Sequence, residues 1–274
     1  MNSIRINDFN LSHTMECGQY FRYLNKNGVY YIGYKDKLFS VKQEGNKLFF
    51  NNANEKFIKN FFNMDLDYDS IFNECKSNSF AIKARNSLKG LHLISQDPWE
   101  CLVSYICSAN NNIPKIKGMI NSLCRTFGRK LVLNNVEMYS FPEPGALNKK
   151  QLIKKYVFTD VKTKAIVEIN KYLNSAKLNR LKNRSYQDAF NELLSFYGIG
   201  PKIASCVLLF SLGFYEAVPV DVHMKRVLSE KYGLHGSDES LHSQAISCFG
   251  KYGGIIQQYL FYQQRLEGRK DFDS

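Results

Sequence analysis

The chain has 274 residues, of which 44% are hydrophobic and 14% aromatic, so it can bury a sizeable core, and this composition argues against a disordered segment. Lys and Arg number 37 against 25 Asp and Glu, and the net charge of +12 favours a polyanionic partner, nucleic acid first. A genome biased toward lysine codons is the alternative explanation of the lysine count. Such a bias does not by itself lower the number of acidic residues.

The seven cysteines are scattered without a C-x-x-C pair or a nearby histidine cluster, which argues against a zinc or iron–sulfur site. Their odd number and the lack of an N-terminal signal segment predict free thiols in a reducing cytoplasm. No apolar run approaches the roughly 18 residues that cross a bilayer. We therefore expect a soluble cytoplasmic monomer with no membrane partner, associated with the nucleoid if its source is prokaryotic.

The first predicted elements, between Tyr20 and Asn52, are short β-prone runs separated by turn clusters such as Asn27-Gly28 and Gly45-Asn46. This alternation predicts an antiparallel β meander. After Asn54 the apolar spacing becomes helical and stays so almost to the C terminus. The predicted fold class is α+β, with an N-terminal antiparallel β-sheet domain over residues 1–80 and a mainly α-helical body over residues 81–274.

Start and stop signals divide the helical body. Asp97 as N-cap with Pro98 in the first turn begins a helix that stops at Asn110. An amphipathic pattern predicts a second helix over Ile116–Phe127, and the segment Pro142–Gly145 marks a loop between subdomains.

The run Leu194–Cys206 predicts a helix-hairpin-helix within residues 190–213. Gly198 and Gly200 allow a tight turn whose outward N–H groups can hold a DNA phosphate without reading sequence. Lys202 follows at the start of the second helix, where the positive helix end and burial both disfavour a charged ammonium, so we predict a nucleophile. An ordinary exposed hairpin lysine is the alternative, and it would be favoured if Lys202 stood alone.

Asp221 follows an extended apolar stretch and precedes a helix that carries Met224 and Val227, so it is a predicted N-cap. A capping carboxylate that accepts backbone hydrogen bonds stays ionised, and it can stabilise a cationic sugar or take a proton from Lys202. The alternative is a cap and nothing more, which the upstream hairpin lysine makes the weaker interpretation.

The block Leu194–Leu228 resembles the helix-hairpin-helix, glycine-proline-aspartate superfamily of base-excision DNA glycosylases. In that superfamily a lysine at the position of Lys202 attacks the sugar C1′, forms a Schiff base and cleaves the strand by β-elimination. Further matches resemble the eukaryotic-like 8-oxoguanine DNA glycosylases and extend over nearly the whole chain. They are Gly18–Arg22, Leu66–Tyr68, Asp97–Pro98, Glu100–Leu102, Cys107–Asn112, Gln257 and Leu260–Phe261.

The same resemblance implies a role for each residue of a base pocket. The carbonyl of Gly18 would accept the N7 hydrogen that 8-oxoguanine has and guanine lacks, so one hydrogen bond would carry the discrimination. Phe261 and Cys206 would sandwich the extruded base, and Gln257 would bind its Watson–Crick edge. From the residues alone, Phe261 and Cys206 are equally compatible with a place in the core.

On the opposite strand, the resemblance implies that Asn110 holds the orphaned cytosine and that His223 contacts a phosphate. Lys115 stands where an arginine is expected, and the family's tyrosine–arginine pair, which wedges the duplex and reads cytosine, aligns with Val161 and Lys162. Lysine lacks the two-pronged contact of arginine. We therefore expect weaker discrimination of the base opposite the lesion than in typical relatives.

The function that the resemblance predicts is a bifunctional DNA glycosylase/AP lyase acting on double-stranded DNA that contains 8-oxoguanine. No cofactor or metal is required, although carbonyls of the hairpin can hold a structural cation in such proteins. A glycosylase for alkylated or other oxidised bases is an alternative, against which Gly18 and Gln257 argue. A non-catalytic hairpin module that only binds DNA is another, against which Lys202 and Asp221 argue.

Overall fold

The computed structural model describes residues 2–75 and 77–273, the last five of them by their backbone alone. The strands within these residues are β1 (Asn2–Arg5), β2 (Tyr23–Lys26), β3 (Val29–Tyr34), β4 (Lys37–Glu44), β5 (Lys47–Asn51), β6 (Lys130–Leu133) and β7 (Val136–Tyr139). The helices are α1 (Leu11–Glu16), α2 (Glu55–Phe61), α3 (Tyr68–Glu74), α4 (Ser79–Ser87), α5 (Pro98–Ser108), α6 (Ile113–Phe127), α7 (Lys150–Val157), α8 (Asp160–Tyr172), α9 (Ser175–Asn179), α10 (Tyr186–Leu194), α11 (Pro201–Val207), α12 (Val222–Tyr232), α13 (Asp238–Phe249) and α14 (Gly253–Asp273). The N-terminal antiparallel sheet and the helical body confirm the predicted fold class. None of the helices in the described part of the chain combines the length and the apolar character that a membrane span needs.

Five antiparallel strands form the first sheet, in the order β1-β5-β4-β3-β2. Its hairpins turn at Asn27-Gly28, at Lys35-Asp36 and at Gly45-Asn46, and Asn27, Gly28, Lys35 and Gly45 have positive φ. These turns confirm the predicted meander. The sequence patterns missed β1, whose Ile4 lies opposite Leu48 of β5, because a four-residue strand paired with a distant partner gives no local signal.

A second, two-stranded sheet interrupts the helices, so the prediction of continuous helical spacing is wrong over residues 130–139. Asn134 and Asn135 both have positive φ and form the two-residue connection between β6 and β7, as the favoured hairpin turns require. Val136 and Met138 of β7 pack with Tyr31 of the first sheet. The second sheet therefore covers the first one.

The core consists of two large hydrophobic clusters. One lies on the first sheet and includes Phe39 and Phe61, and it also takes Ile94 from beyond residue 80. The other lies among the helices and takes Cys17 and Phe21 from the N-terminal segment. Because each cluster contains residues from the other side, the predicted domain boundary near residue 80 stays a prediction.

A buried polar centre joins the sheets to the helical body. Arg22 and Glu100 form an ion pair of 2.9 Å, and each side chain is 2% exposed. Glu100 also accepts hydrogen bonds from the Tyr20 hydroxyl at 3.0 Å and from the Lys35 N–H at 2.9 Å. Arg22 donates to the Tyr139 carbonyl at 2.6 Å. One guanidinium and one carboxylate thus connect β7, the meander and α5.

Side-chain caps fix the starts of the helices that reach the site. Asp97 accepts two backbone N–H groups at the start of α5, which confirms the predicted N-cap. Helix α6 begins at Ile113, earlier than the predicted Ile116, because Asn112 caps it by accepting the N–H of Lys115 at 3.0 Å. The extra turn carries α6 to the edge of the cavity described below.

The helix-hairpin-helix consists of α10, a tight turn and α11, which continues as a π-helical turn over Leu208–Leu212. Gly198 has φ +77, and a Cβ there would lie 2.8 Å from the Ala165 side chain of α8. Both the turn and this close approach therefore require glycine. Gly200 is extended and precedes Pro201 at the first position of α11.

Candidate active site

A cavity of about 940 Å³ opens between α11, the first turns of α6 and α12, and the face of α14. This volume is in the range of small-molecule sites. The predicted site residues that line it are Gly18, Asn110, Gly200, Lys202, Cys206, Asp221, His223, Gln257 and Phe261. Two others, Lys115 and Gly198, do not line it: Lys115 lies on the exposed side of α6, and Gly198 faces α8. Elements from both ends of the chain therefore meet at one site.

Lys202 is half-buried in the first turn of α11, and its Nζ donates a hydrogen bond of 2.6 Å to the Ser108 hydroxyl. Ser108 in turn donates to the Tyr105 carbonyl at 2.7 Å, so its oxygen presents a lone pair to the amine. The Nζ also lies 5.3 Å from the centre of the Tyr105 ring. This arrangement holds a primary amine in one direction at the wall of the cavity.

Asp221 caps α12, as the sequence predicted, because its Oδ1 accepts the Met224 N–H at 2.9 Å. Lys202 and Asp221 both act on the thiol of Cys206, which lies within α11. Burial raises the pKa of Cys206 to about 12, while the charge of Lys202 lowers it and that of Asp221 raises it. The amine and the carboxylate therefore lie near a thiol that stays protonated at neutral pH.

The backbone at Gly18 has φ +92, where a side chain is strained. A Cβ at this position would lie 2.6 Å from Nη1 of Arg265 and 2.8 Å from Cδ1 of Ile113. Arg265 itself donates to the Cys17 carbonyl at 2.9 Å. The next residue, Gln19, is 1% exposed and donates two hydrogen bonds to backbone carbonyls. The Gly18 loop is thus fixed from both sides.

The face of α14 toward the cavity carries an amide, an aromatic ring and a guanidinium at helical spacing. Gln257 is 4% exposed, and its Oε1 has no hydrogen-bond partner among the described residues; the same holds for the Oε1 of Gln264. The ring of Phe261 lies 5.9 Å from that of His223 and 5.5 Å from the guanidinium carbon of Arg265. A ligand with hydrogen-bond donors would satisfy the two buried acceptors.

Beside the cavity, three lysines approach one another at the start of α8. Lys162 is 7% exposed, and burial lowers its pKa, as do the charges of Lys115 and Lys202. The Nζ of Lys115 lies 5.7 Å from the centre of the Phe158 ring. Asn110 is exposed and has φ +54. This positive surface adjoins the mouth of the cavity.

Sequence reasoning gave no role to Ser108, Gln264 or Arg265. The two residues of α14 carried a signal, because they share a helical face with Gln257 and Phe261. Ser108 bonds a lysine 94 positions away, and no local pattern reports such a pairing.

No group of three or more His, Cys, Asp or Glu side chains is placed to hold a metal ion within the residues that the structure describes. In the hairpin, the carbonyls of Phe196 and Gly200 accept backbone N–H groups. A cation held by other hairpin carbonyls stays a prediction.

Comparison with known proteins adds sequence and structural relatives. A family model described as 8-oxoguanine DNA glycosylase, N-terminal domain, matches residues 3–102. The N-glycosylase/DNA lyase of Saccharomyces cerevisiae is 32% identical over 196 residues, which are 66% of this chain and 52% of that protein, so the match spans about half of the yeast relative.

Two solved structures are similar over almost their whole length. MBOgg1 in complex with a low-affinity DNA ligand superposes with a TM-score of 0.90 at 33% identity, over 97% of this chain and 96% of that one. The 8-oxoguanine glycosylase/lyase of Clostridium acetobutylicum, in complex with double-stranded DNA containing cytosine opposite 8-oxoG, gives 0.89 at 28% identity, over 98% and 99%.

Proposed function

The chain belongs to the 8-oxoguanine DNA glycosylase family, and from this premise we propose that it excises 8-oxoguanine from double-stranded DNA and nicks the strand at the resulting abasic site. One observation carries the proposal: Lys202 and Asp221 line the same cavity as Gly18 and Gln257. The first two are the groups that break a glycosidic bond through an amine. The last two are groups that recognise a base. All of them come from one chain, which supports the predicted monomer.

DNA is held mainly through its backbone. The net charge of +12 attracts the phosphates, and the N–H groups of the hairpin around Gly198 and Gly200 hold one of them. His223, exposed on the first turn of α12, contacts another. Asn110 and Lys115 meet the opposite strand. A base inside the helix cannot reach Lys202, so the lesion leaves the stack and enters the cavity.

Recognition of the extruded base uses both of its faces and both of its edges. Phe261 and Cys206 cover the two faces, and the protonated Cys206 thiol gives an apolar surface there. The Oε1 of Gln257, which lacks a partner, accepts from the Watson–Crick edge. The Gly18 carbonyl accepts the N7 hydrogen of 8-oxoguanine; guanine has an acceptor at N7 and would leave two acceptors facing each other.

The chemical step begins with the neutral amine of Lys202, which Ser108 directs into the cavity. The amine forms a bond to C1′ as the bond from C1′ to the base breaks, and the base leaves with a proton. The sugar ring then opens to a protonated Schiff base, whose O4′ becomes a hydroxyl. Loss of a C2′ proton expels the 3′ phosphate and nicks the strand. Asp221 stabilises the positive sugar and transfers protons, so no step requires a cofactor.

Borohydride trapping tests this proposal. The wild type, Lys202→Gln and a charge-matched control, Lys83→Gln on the exposed face of α4, are incubated with duplexes containing 8-oxoguanine or guanine opposite cytosine. We expect a covalent complex for the wild type and the control with the lesion only, and none for Lys202→Gln. Excision without trapping would assign the attack to water instead of Lys202. Tight binding without excision after long incubation would leave only a DNA-binding module, and release of alkylated bases in place of 8-oxoguanine would change the substrate.

A further inference from the structure

Phe158 has an unusual backbone and an unusual exposure. It connects α7 to α8, its side chain is 63% exposed, and its φ is +63. Among the described residues, the others without glycine's freedom that have positive φ are Lys35 and seven Asn or Asp. A bulky aromatic residue in this region is an outlier, and such outliers cluster at functional sites.

The requirements of the helix end do not explain the phenylalanine. The Phe158 N–H donates to the Lys154 carbonyl at 2.9 Å and so terminates α7 in the left-handed manner. Glycine or asparagine usually occupies this position because neither is strained there. A phenylalanine here costs stability through its backbone and gains little through burial. Its ring must therefore be explained by something outside the folded chain.

The position of Phe158 indicates what that is. Lys115 lies against the ring and belongs to the first turn of α6, whose residues Asn112–Pro114 line the cavity. Three residues after Phe158, the Val161 side chain faces Gly198 of the hairpin. The ring thus stands in solvent between the hairpin and the start of α6, beside the mouth of the cavity and among lysines.

We propose that Phe158 enters the base stack of the duplex when the lesion leaves it, and that Val161, at the aligned wedge position, does not. The inference rests on the proposed function, because it concerns how the lesion is extruded. Apolar side chains inserted between base steps unstack and kink the duplex, and an aromatic face replaces the lost stacking. Lys115 and Lys162 lie where they can neutralise the phosphates on either side.

The test uses Phe158→Gly, which removes the ring and also suits the positive φ. We expect its melting temperature to equal or exceed that of the wild type. Its single-turnover excision of 8-oxoguanine from a duplex should fall roughly 5- to 150-fold, the range of stacking one base on an aromatic side chain. Phe158→Trp should restore most of the rate. Tyr172→Ala, which removes another aromatic side chain of α8 that is 58% exposed, is the control and should leave the rate unchanged.

A Phe158→Gly protein that excises at the wild-type rate would overturn the inference, as would an equal loss in Val161→Ala. Failure of the proposed function is separable from failure of the wedge. If the wild type excises nothing, 2-aminopurine placed next to a stable abasic analogue still reports unstacking. Its fluorescence should then rise with the wild type and with Tyr172→Ala but not with Phe158→Gly, and equal fluorescence for all three would refute the wedge.

Discussion

Replacing Glu100 with glutamine tests how the sheets and the helical body are held together. The carboxylate is 2% exposed and pairs with Arg22 at 2.9 Å. Glutamine has nearly the same volume and keeps an acceptor for the Lys35 N–H. It leaves the buried guanidinium of Arg22 without a counter-charge, because the Tyr139 carbonyl that it also contacts is neutral.

The expected loss is large because a buried charge is left unpaired. Removing one member of such a pair typically costs about 3–5 kcal/mol. A domain of this size loses about 2–4 °C in melting temperature for each kcal/mol, so we expect a decrease of about 6–20 °C. Burial raises the pKa of Glu100 despite the opposing attraction of Arg22, so desolvation offsets much of what the pair gains. Removing both charges, in Arg22→Met with Glu100→Gln, should therefore recover about 2 kcal/mol or more relative to the sum of the single changes.

The pH dependence separates the two single variants. In Arg22→Met the buried Glu100 loses its counter-charge, so its folded-state pKa rises further above the unfolded value. A raised pKa contributes stability that is present below the ordinary glutamate pKa of about 4.3 and is lost as pH rises through the folded value. Chemical denaturation should find Arg22→Met closer to the wild type at acidic than at alkaline pH, and Glu100→Gln equally impaired at both. Additive single losses that ignore pH would refute the reasoning.

Two further predictions concern specificity. In Gly18→Ala the added Cβ meets Arg265 and Ile113 at a φ of +92, so we expect a stability loss of about 1–2 kcal/mol by thermal melting and a reduced preference for 8-oxoguanine over guanine in competitive excision. Because Lys162 replaces an arginine and is 7% exposed, single-turnover excision should be comparable opposite all four bases, and a strong cytosine preference would contradict this.

Local signals predicted the parts of the fold that local chemistry determines. Asp97 and Asp221 were identified as caps because a short acceptor followed by helical spacing has few other meanings. The turn at Asn27-Gly28 was found for the same reason. The hairpin at Asn134-Asn135 was missed, although it has a similar signal, because the flanking strands are only four residues long and were absorbed into the surrounding helical pattern.

The arrangement of the site depended on tertiary contacts that no local pattern contains. The hairpin glycines and Lys202 stood out through their spacing, but the Ser108 hydroxyl that directs the amine did not. The expected wedge was sought at Val161 by alignment, whereas the exposed ring belongs to Phe158, whose backbone conformation the sequence does not announce. A left-handed phenylalanine contradicts local preference, and such conflicts are visible only once the chain is folded.

The buried acceptors of the cavity divide binding from discrimination. An unpartnered acceptor such as the Oε1 of Gln257 costs about 1–3 kcal/mol in the free protein, and a base that donates to it relieves that cost. Guanine and 8-oxoguanine have the same Watson–Crick edge, so this gain is equal for both and cannot separate them. They differ at N7 and C8, on the other side of the base. Under the proposed function, selectivity therefore depends on the Gly18 loop, whose shape only glycine permits, whereas Gln257 determines how tightly either base is held.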